Sequence, residues 1–413
     1  MKVDVPQYPV RDLSVTIPSR LPRNPWFVLI LSLALIGVCL VVFRLKVVHK
    51  MPDFDVYYRA GARFVAAQML YAGSDGHYQF KYPPMAAALF APLSRLPFAV
   101  AKATWFAISV LALAVSLWIC ATCLIRPSRS RLWLVGLTLL VEAKFFGHEL
   151  TLGQVNALLL LIFMLTIYAV LGGRPIAAGI LLALAISIKP YALLFLPFFV
   201  LRKRMATVAS ASLALSILAL IPIWRYGWDG NAALYRRWLE TLSQSTPDQL
   251  LSHDNISLFG FFAKWMGPAQ TSGTNLAVGL AIVLLVAAVS WCFTRRTDKK
   301  EAIALEASVV LILMPLFSPL GWDYVFLWST PGVMLLLDSW ASLTRSLRTI
   351  LVVTLAMIGG TIYDVMGRSL YRAFMARSLL TPAFIVLVAL LLIVRMRMAR
   401  PDASGRSTVP ASA

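Results

Sequence analysis

The chain has 413 residues, 60% hydrophobic and 14% charged, with a mean hydropathy of +0.78. Soluble chains carry about a quarter charged and about half apolar residues, so a soluble multidomain enzyme, a disordered protein and a disulfide-stapled secreted scaffold are excluded, and a polytopic membrane protein remains. The net charge of +20 comes from 38 Lys and Arg against 18 Asp and Glu; in so apolar a chain it orients loops and faces anionic lipid, and no nucleic-acid partner is expected.

Residues 1–25 are polar and Pro-punctuated, with no apolar core near the start to mark a cleaved leader, and predict a disordered cytoplasmic tail. A spanning helix takes about 20 mostly apolar residues, range about 17–25. Candidate spans fall at 26–43, 103–125, 132–146, 155–171, 175–188, 191–201, 207–224, 275–294, 302–320, 323–338, 348–363 and 380–395. The reading is all-α: a single transmembrane helical bundle over 26–397 of about 12 spans, range 10–13, followed by a second cytoplasmic tail at 398–413. Lys189-Pro190 interrupts the middle of this run. Proline removes a backbone donor, so a broken helix or re-entrant turn is expected there.

Basic residues set the orientation. Arg126, Arg129, Arg131, Arg174, Arg202, Lys203, Arg204, Arg295, Arg296, Lys299, Lys300, Arg345 and Arg348 occupy alternate short loops, and Arg395, Arg397, Arg400 and Arg406 follow the last span. This places both termini in the cytoplasm. The longer loops, 44–102 and 225–274, then fall on the outer face and carry short interfacial helices. Most of the acids gather there, with His49, His77, His148 and His253, and loops on a rigid scaffold are where function usually sits. Cys39, Cys120, Cys123 and Cys292 lie in apolar runs without metal-ligand spacing and read as packing residues.

Several outer-face constellations could carry chemistry. Asp53-Phe54-Asp55-Val56-Tyr57-Tyr58-Arg59 offers two carboxylates about 200° apart on a helix, so one of them faces a given cavity. That one could act as a general base; the plainer reading is a solvated helix N-terminus. Lys81-Tyr82-Pro83-Pro84 could hold a lipid phosphate or anchor at the interface. Gln154 and Asn156 enter an apolar helix after His148-Glu149 and either line a cavity or bond between helices. Lys189 at membrane depth needs an anion, a substrate phosphate or a protein carboxylate, and phosphate is favoured. The loop 225–274 presents His253-Asp254-Asn255 among Trp and Tyr, and Pro319-Leu320-Gly321-Trp322-Asp323-Tyr324 is a further outer turn. No P-loop, dinucleotide fingerprint or Cys/His cluster is present, so no cofactor and no dedicated metal site are expected.

Asp53-Phe-Asp-Val-Tyr-Tyr, Tyr71, Tyr82-Pro83-Pro84, Gly153-Gln154-Val-Asn156, Lys189-Pro190 and Asn255-x-Ser257-Leu258, in that order, resemble glycosyltransferase family 87 over residues about 50 to 330. The resemblance implies a GT-C-class membrane enzyme that takes a sugar, mannose in characterised relatives, from a polyprenyl-phosphate carrier on the extracytoplasmic face. Transfer would be inverting, to a lipid-linked or cell-envelope glycan acceptor. Asp53 matches the proposed base, with Asp55 the alternative. Lys189, Lys81 and Arg59 are the candidate cations for the departing phosphate. Tyr82, His253 and Asn255 are expected at the donor, and Gln154, Asn156 and Tyr57 at the acceptor cavity. A carrier flippase or solute transporter is the competing class, but no internal repeat is visible.

Overall fold

A computed structural model describes residues 37, 39–125, 130–267, 269–295, 297 and 299–398. The tail at 1–25, most of the first span, most of the C-terminal tail, and Arg126, Arg129, Arg296, Arg400 and Arg406 lie outside the described residues. Among those described there is no β-strand, only an isolated bridge between Asn255 and Trp322.

Helix α1 (Pro52–Val65) begins with proline in its first turn and has Asp53 and Asp55 there, where the helix dipole favours carboxylates. It packs on the short α2 (Pro84–Phe90) so closely that a Cβ on Gly61 would sit 2.6 Å from the Phe90 carbonyl oxygen. The following helices are α3 (Phe98–Ile119), α4 (Arg131–Leu152), α5 (Asn156–Leu171) and α6 (Pro175–Ile188). Pro190 stops α6, and the chain re-forms as a single 3-10 segment and then α7 (Phe195–Leu201), as expected of a broken helix. Next come α8 (Met205–Leu220), α9 (Ile223–Gln249), α10 (Leu258–Met266), α11 (Thr271–Thr294) and α12 (Lys300–Phe317). A 3-10 segment, Asp323–Ser329, leads into α13 (Thr330–Asp338), followed by α14 (Arg345–Gly360), α15 (Tyr363–Met366), α16 (Arg368–Ala376) and α17 (Leu380–Met398).

Among the described residues, three stretches are long and apolar enough to cross a membrane by themselves: Phe98–Leu124, Thr271–Thr294 and Leu380–Met398. Two bent pairs raise this to five if each is one span: α4 with α5, at 120°, and α8 with α9, at 96°. Other predicted spans resolve into shorter pieces. The segment 191–201 holds only the 7 residues of α7, and 323–338 divides into a 3-10 segment and the 9 residues of α13. Such pieces are half-helices arranged around a buried centre, an arrangement allowed at membrane depth only against protein or a cavity.

That centre is α12, buried at every residue from Ala302 to Leu316. By contrast α11 turns Leu276, Leu280, Val283, Leu284 and Trp291 outward, the apolar face a lipid-exposed helix presents. The sequence pattern gathers acids at one face, yet Glu142 and Glu306 lie fully buried within apolar helices. Among the described residues Glu142 keeps one unpartnered oxygen, whereas Glu306 is fully paired. Ser329 donates to Glu142 Oε1 at 2.6 Å. Glu306 is clasped by two guanidiniums, Arg202 Nε at 2.5 Å and Arg395 Nε at 2.6 Å, tying the end of α7 and α17 to the central helix. Glu306→Ala would strand both cations, and removing one member of a buried ion pair costs about 3–5 kcal/mol. We expect a marked loss of thermal stability in nanodiscs. A melting curve indistinguishable from wild type would refute this role.

Candidate functional site

The site is built on the joint between α4 and α5. Gly153 caps α4 at φ +71, a conformation that favours glycine. A Cβ there would fall 2.8 Å from Phe54 Cβ and 2.9 Å from Met51 Cε. This is where α1 presses against the joint. Met51 N–H donates to the Thr151 carbonyl at 2.9 Å, and the Trp105 indole donates to the Gly153 carbonyl at 2.8 Å. The joint aims Gln154 and Asn156 into the protein.

Gln154 organises the first half of the site. Its amide Nε2 donates to Asp53 Oδ2 at 2.7 Å and lies 3.3 Å from the Tyr324 hydroxyl. Its Oε1 accepts from Tyr57 at 2.9 Å and from Tyr82 at 3.2 Å, and the two phenols are themselves 2.6 Å apart. Tyr57 is held flat against Phe90, ring centroids 4.6 Å apart. Burial pushes the Asp53 carboxyl above its ordinary value, while the Gln154 bond and the charges of Lys189, His77 and Lys81 act in the opposite sense. Such a carboxyl is a better proton acceptor than an exposed one.

Lys189 organises the second half. It ends α6, and its ammonium donates to Asn156 Oδ1 at 2.6 Å. Asn156 Nδ2 in turn donates to Glu149 Oε2 at 2.8 Å, and Glu149 Oε1 accepts from Ala157 N–H at 2.7 Å. The Trp328 indole fixes the Asn156 carbonyl at 3.0 Å, and the rings of Tyr82 and Tyr191 each lie 5.7 Å from the ammonium. The anion this lysine requires is therefore supplied, one amide away, by Glu149. Lys189 is thus compensated within the protein.

Asp53, Tyr57, Tyr82, Gln154, Asn156 and Lys189 thus converge, joined by hydrogen bonds or ring contact from four separate stretches of chain. Lys81 flanks them, half-buried, its pKa lowered by burial and supported by the charge of Asp53. The other predicted residues stand apart. Asp55 is turned away by the helical advance of two residues, is 44% exposed and pairs with Arg59 at 3.3 Å. Arg59 also bonds Asp75 at 3.1 Å, so its charge is already spent on protein carboxylates. His253 is exposed. Asn255 is fully buried in a scaffold role: its side chain accepts from Gly321 N–H at 3.0 Å and Ser257 N–H at 3.2 Å and donates to two carbonyls. Glu149 and Tyr324, which the sequence placed in outer-face motifs without a role, join the site, as does Trp328, which no motif marked. Beside it stands a second cluster, in which His148 and Asp323, both read as outer-face groups, meet Lys144, which none of those motifs included. Lys144 inside an apolar helix was the signal available, since an ionisable residue in such a helix marks function. Among the described residues no group of three or more His, Cys, Asp or Glu could hold a metal ion.

The sequence profile of glycosyltransferase family 87 matches residues 80–319. The chain belongs to glycosyltransferase family 87. It is 25% identical over 351 residues to a Mycobacterium tuberculosis protein named polyprenol-phosphate-mannose-dependent alpha-(1-2)-phosphatidylinositol mannoside mannosyltransferase, covering 78% of each chain. A protein of the same name from Mycolicibacterium smegmatis is 26% identical over 338 residues, 75% of each chain. An alpha-(1->3)-arabinofuranosyltransferase from Corynebacterium glutamicum is 26% identical over 297 residues, 70% of this chain and 68% of its own. No solved structure matches the chain. The profile covers Tyr82, Gln154, Asn156 and Lys189, four of the converging residues. As a family 87 glycosyltransferase, the protein gathers these around two carboxylates, Asp53 and the fully buried Glu149.

Gln154→Leu removes the group that holds Asp53 and two tyrosines. An unsatisfied buried polar group costs about 1–3 kcal/mol, so transfer is expected to fall by about 5- to 150-fold with the protein still inserted. Steady-state rates on purified protein check this; an unchanged rate would remove Gln154 from the site.

Proposed function

We propose that this glycosyltransferase moves a hexose, mannose, from a polyprenyl-phosphate carrier to a hydroxyl of a lipid-linked or cell-envelope glycan, with inversion and without a cofactor. In this reading the bundle is of GT-C type with about 12 spans, both termini are cytoplasmic, and the site opens on the extracytoplasmic face of the plasma membrane. The observation that carries the proposal is the placement of Asp53. It is one carboxylate, held by Gln154 at 2.7 Å and within the field of Lys189.

The chemistry needs little more. The acceptor oxygen attacks the anomeric carbon as the bond from that carbon to the phosphate oxygen breaks. Polyprenyl phosphate leaves with the electron pair, and the hydroxyl proton passes to Asp53. Positioned proton transfer of this kind contributes about 10²–10⁴-fold. Lys189 and Lys81 stabilise the charge growing on the departing phosphate. The carrier lipid anchors the leaving group in the bilayer, so binding supplies orientation, which in the best intramolecular cases is worth about 7–11 kcal/mol. Retention would normally call on a carboxylate nucleophile as well. Glu149, bonded to Asn156 and the Ala157 amide, is already engaged, which favours single displacement. The arabinofuranosyl name carried by one relative favours a second reading, the same displacement with a pentofuranosyl donor.

The test is purified protein in nanodiscs with labelled polyprenyl-phosphate mannose and a lipid extract, with and without chelator. A labelled glycolipid is expected in both, and its absence from both would end the mannosyl reading. Asp53→Asn should lower kcat by about 10²–10⁴-fold, and Asp55→Asn far less. The opposite ranking would move the base to Asp55. The pH profile has a definite sign. The base works when charged, and burial raises its pKa. The rate should therefore fall as pH drops through a value above the ordinary aspartate pKa of about 3.9. An acid limb at or below that value would show that Asp53 is not the titrating base.

A further inference from the structure

A cavity of about 1030 Å³ lies against the first turn of α1 and the C-terminal half of α4, lined also by Tyr363 of α15 and Tyr371 of α16. None of Lys189, Asn156 or Gln154 lines it. We propose that this cavity is the acceptor chamber, that it takes the saccharide end of the acceptor, and that His148 grips a hydroxyl of that sugar. The inference rests on the proposed transfer reaction and assigns a place to its second substrate.

Three observations carry it. First, the cavity meets the Asp53 site through one side chain. Tyr324 lines the cavity, and its hydroxyl lies 3.3 Å from the Gln154 amide that holds Asp53. A molecule seated there adjoins the Asp53 site across Tyr324; of the two α1 carboxylates, Asp55 lines the cavity and Asp53 does not.

Second, His148 is oriented by a buried support. Lys144 and His148 stand one turn apart on α4, and both meet Asp323: Lys144 Nζ at 2.9 Å from Oδ2, His148 Nδ1 at 3.2 Å from Oδ1. Asp323 is fully buried and its own N–H donates to the Asp254 carbonyl at 2.9 Å. Asp323 holds the imidazole by Nδ1 and so leaves Nε2 to bond a hydroxyl, as acceptor in the neutral ring and as donor in the imidazolium. The imidazole is 42% exposed and lines the cavity.

Third, the walls suit a sugar. Tyr324, Tyr363 and Tyr371 supply aromatic walls, and Asp254 supplies a hydroxyl acceptor in the same lining. Ligand sites combine apolar and aromatic walls with a few placed polar groups, in volumes of roughly 300–1,000 Å³. This one stands at the top of that range, with room for an extended glycan end.

The test uses octyl α-mannoside as acceptor probe and labelled polyprenyl-phosphate mannose as donor, in nanodiscs. His148→Gln and Tyr371→Leu should each raise the KM for the probe by about tenfold, the cost of about one hydrogen bond or ring contact, with donor KM unchanged. A second readout needs no turnover. His148→Cys places a thiol in the cavity, and N-ethylmaleimide labelling of it above the wild-type background should slow with the probe present and not with octanol. Unchanged probe KM in both variants, or labelling indifferent to the probe, would overturn the acceptor chamber. Protection of the introduced thiol in a protein that makes no glycosidic bond would uphold the cavity and sink the transfer reaction, so the two failures are distinguishable.

Discussion

A single carboxamide, that of Gln154, is the interaction on which the site depends. It donates to the carboxylate of Asp53 and accepts from two phenols, Tyr57 and Tyr82. Those partners come from α1 and from the segment just before α2. An amide carries both donors and an acceptor on one rigid plane, so it can hold a carboxylate and hydroxyls at once, which neither an acid nor a lysine could do. Its own aim is set by the left-handed turn at Gly153 and by the two hydrogen bonds that pin that turn to Met51 and Trp105.

Around this centre the buried ionisable groups are met in different ways, and Glu142 only in part, since its Oε2 has no hydrogen-bond partner among the described residues. Glu306 has two arginines, Asp323 has a lysine and an imidazole, and Glu142 has a serine hydroxyl. Lys189 meets its carboxylate through an intervening asparagine. The difference has a functional consequence. Direct pairs lock helices together, whereas a cation bonded to a neutral amide keeps directions free for an incoming anion. In Coulomb terms the separation from Glu149 weakens the internal attraction a phosphate has to compete with.

Much of this was legible in the chain. The helix class, the break at Lys189-Pro190, and the outward apolar face of α11 follow from hydropathy and from proline's missing donor. The two-residue offset of Asp53 and Asp55 already said that one of them would face away. Other readings did not survive folding in detail. Arg59 looked like a phosphate ligand, but its carboxylate partner Asp75 lies sixteen residues on in a loop whose path no periodicity specifies. Asn255 looked like a donor contact, yet it serves a Gly321 turn sixty-six residues away. Lys144 and Asp323, 179 positions apart, could be paired only by the bundle.

Sequence alone determined that the chain is helical and membrane-embedded, that it resembles family 87, and that Asp53, Gln154, Asn156 and Lys189 are the polar residues to look at, because apolar runs and local polar motifs are properties of neighbouring residues. Only the tertiary structure decided which carboxylate turns inward, that Glu149 is the counter-charge to Lys189, and that His148 faces a second cavity. Those facts depend on how distant helices bend and cross, and the bends at Gly153 and Pro190 fix angles that no local pattern encodes.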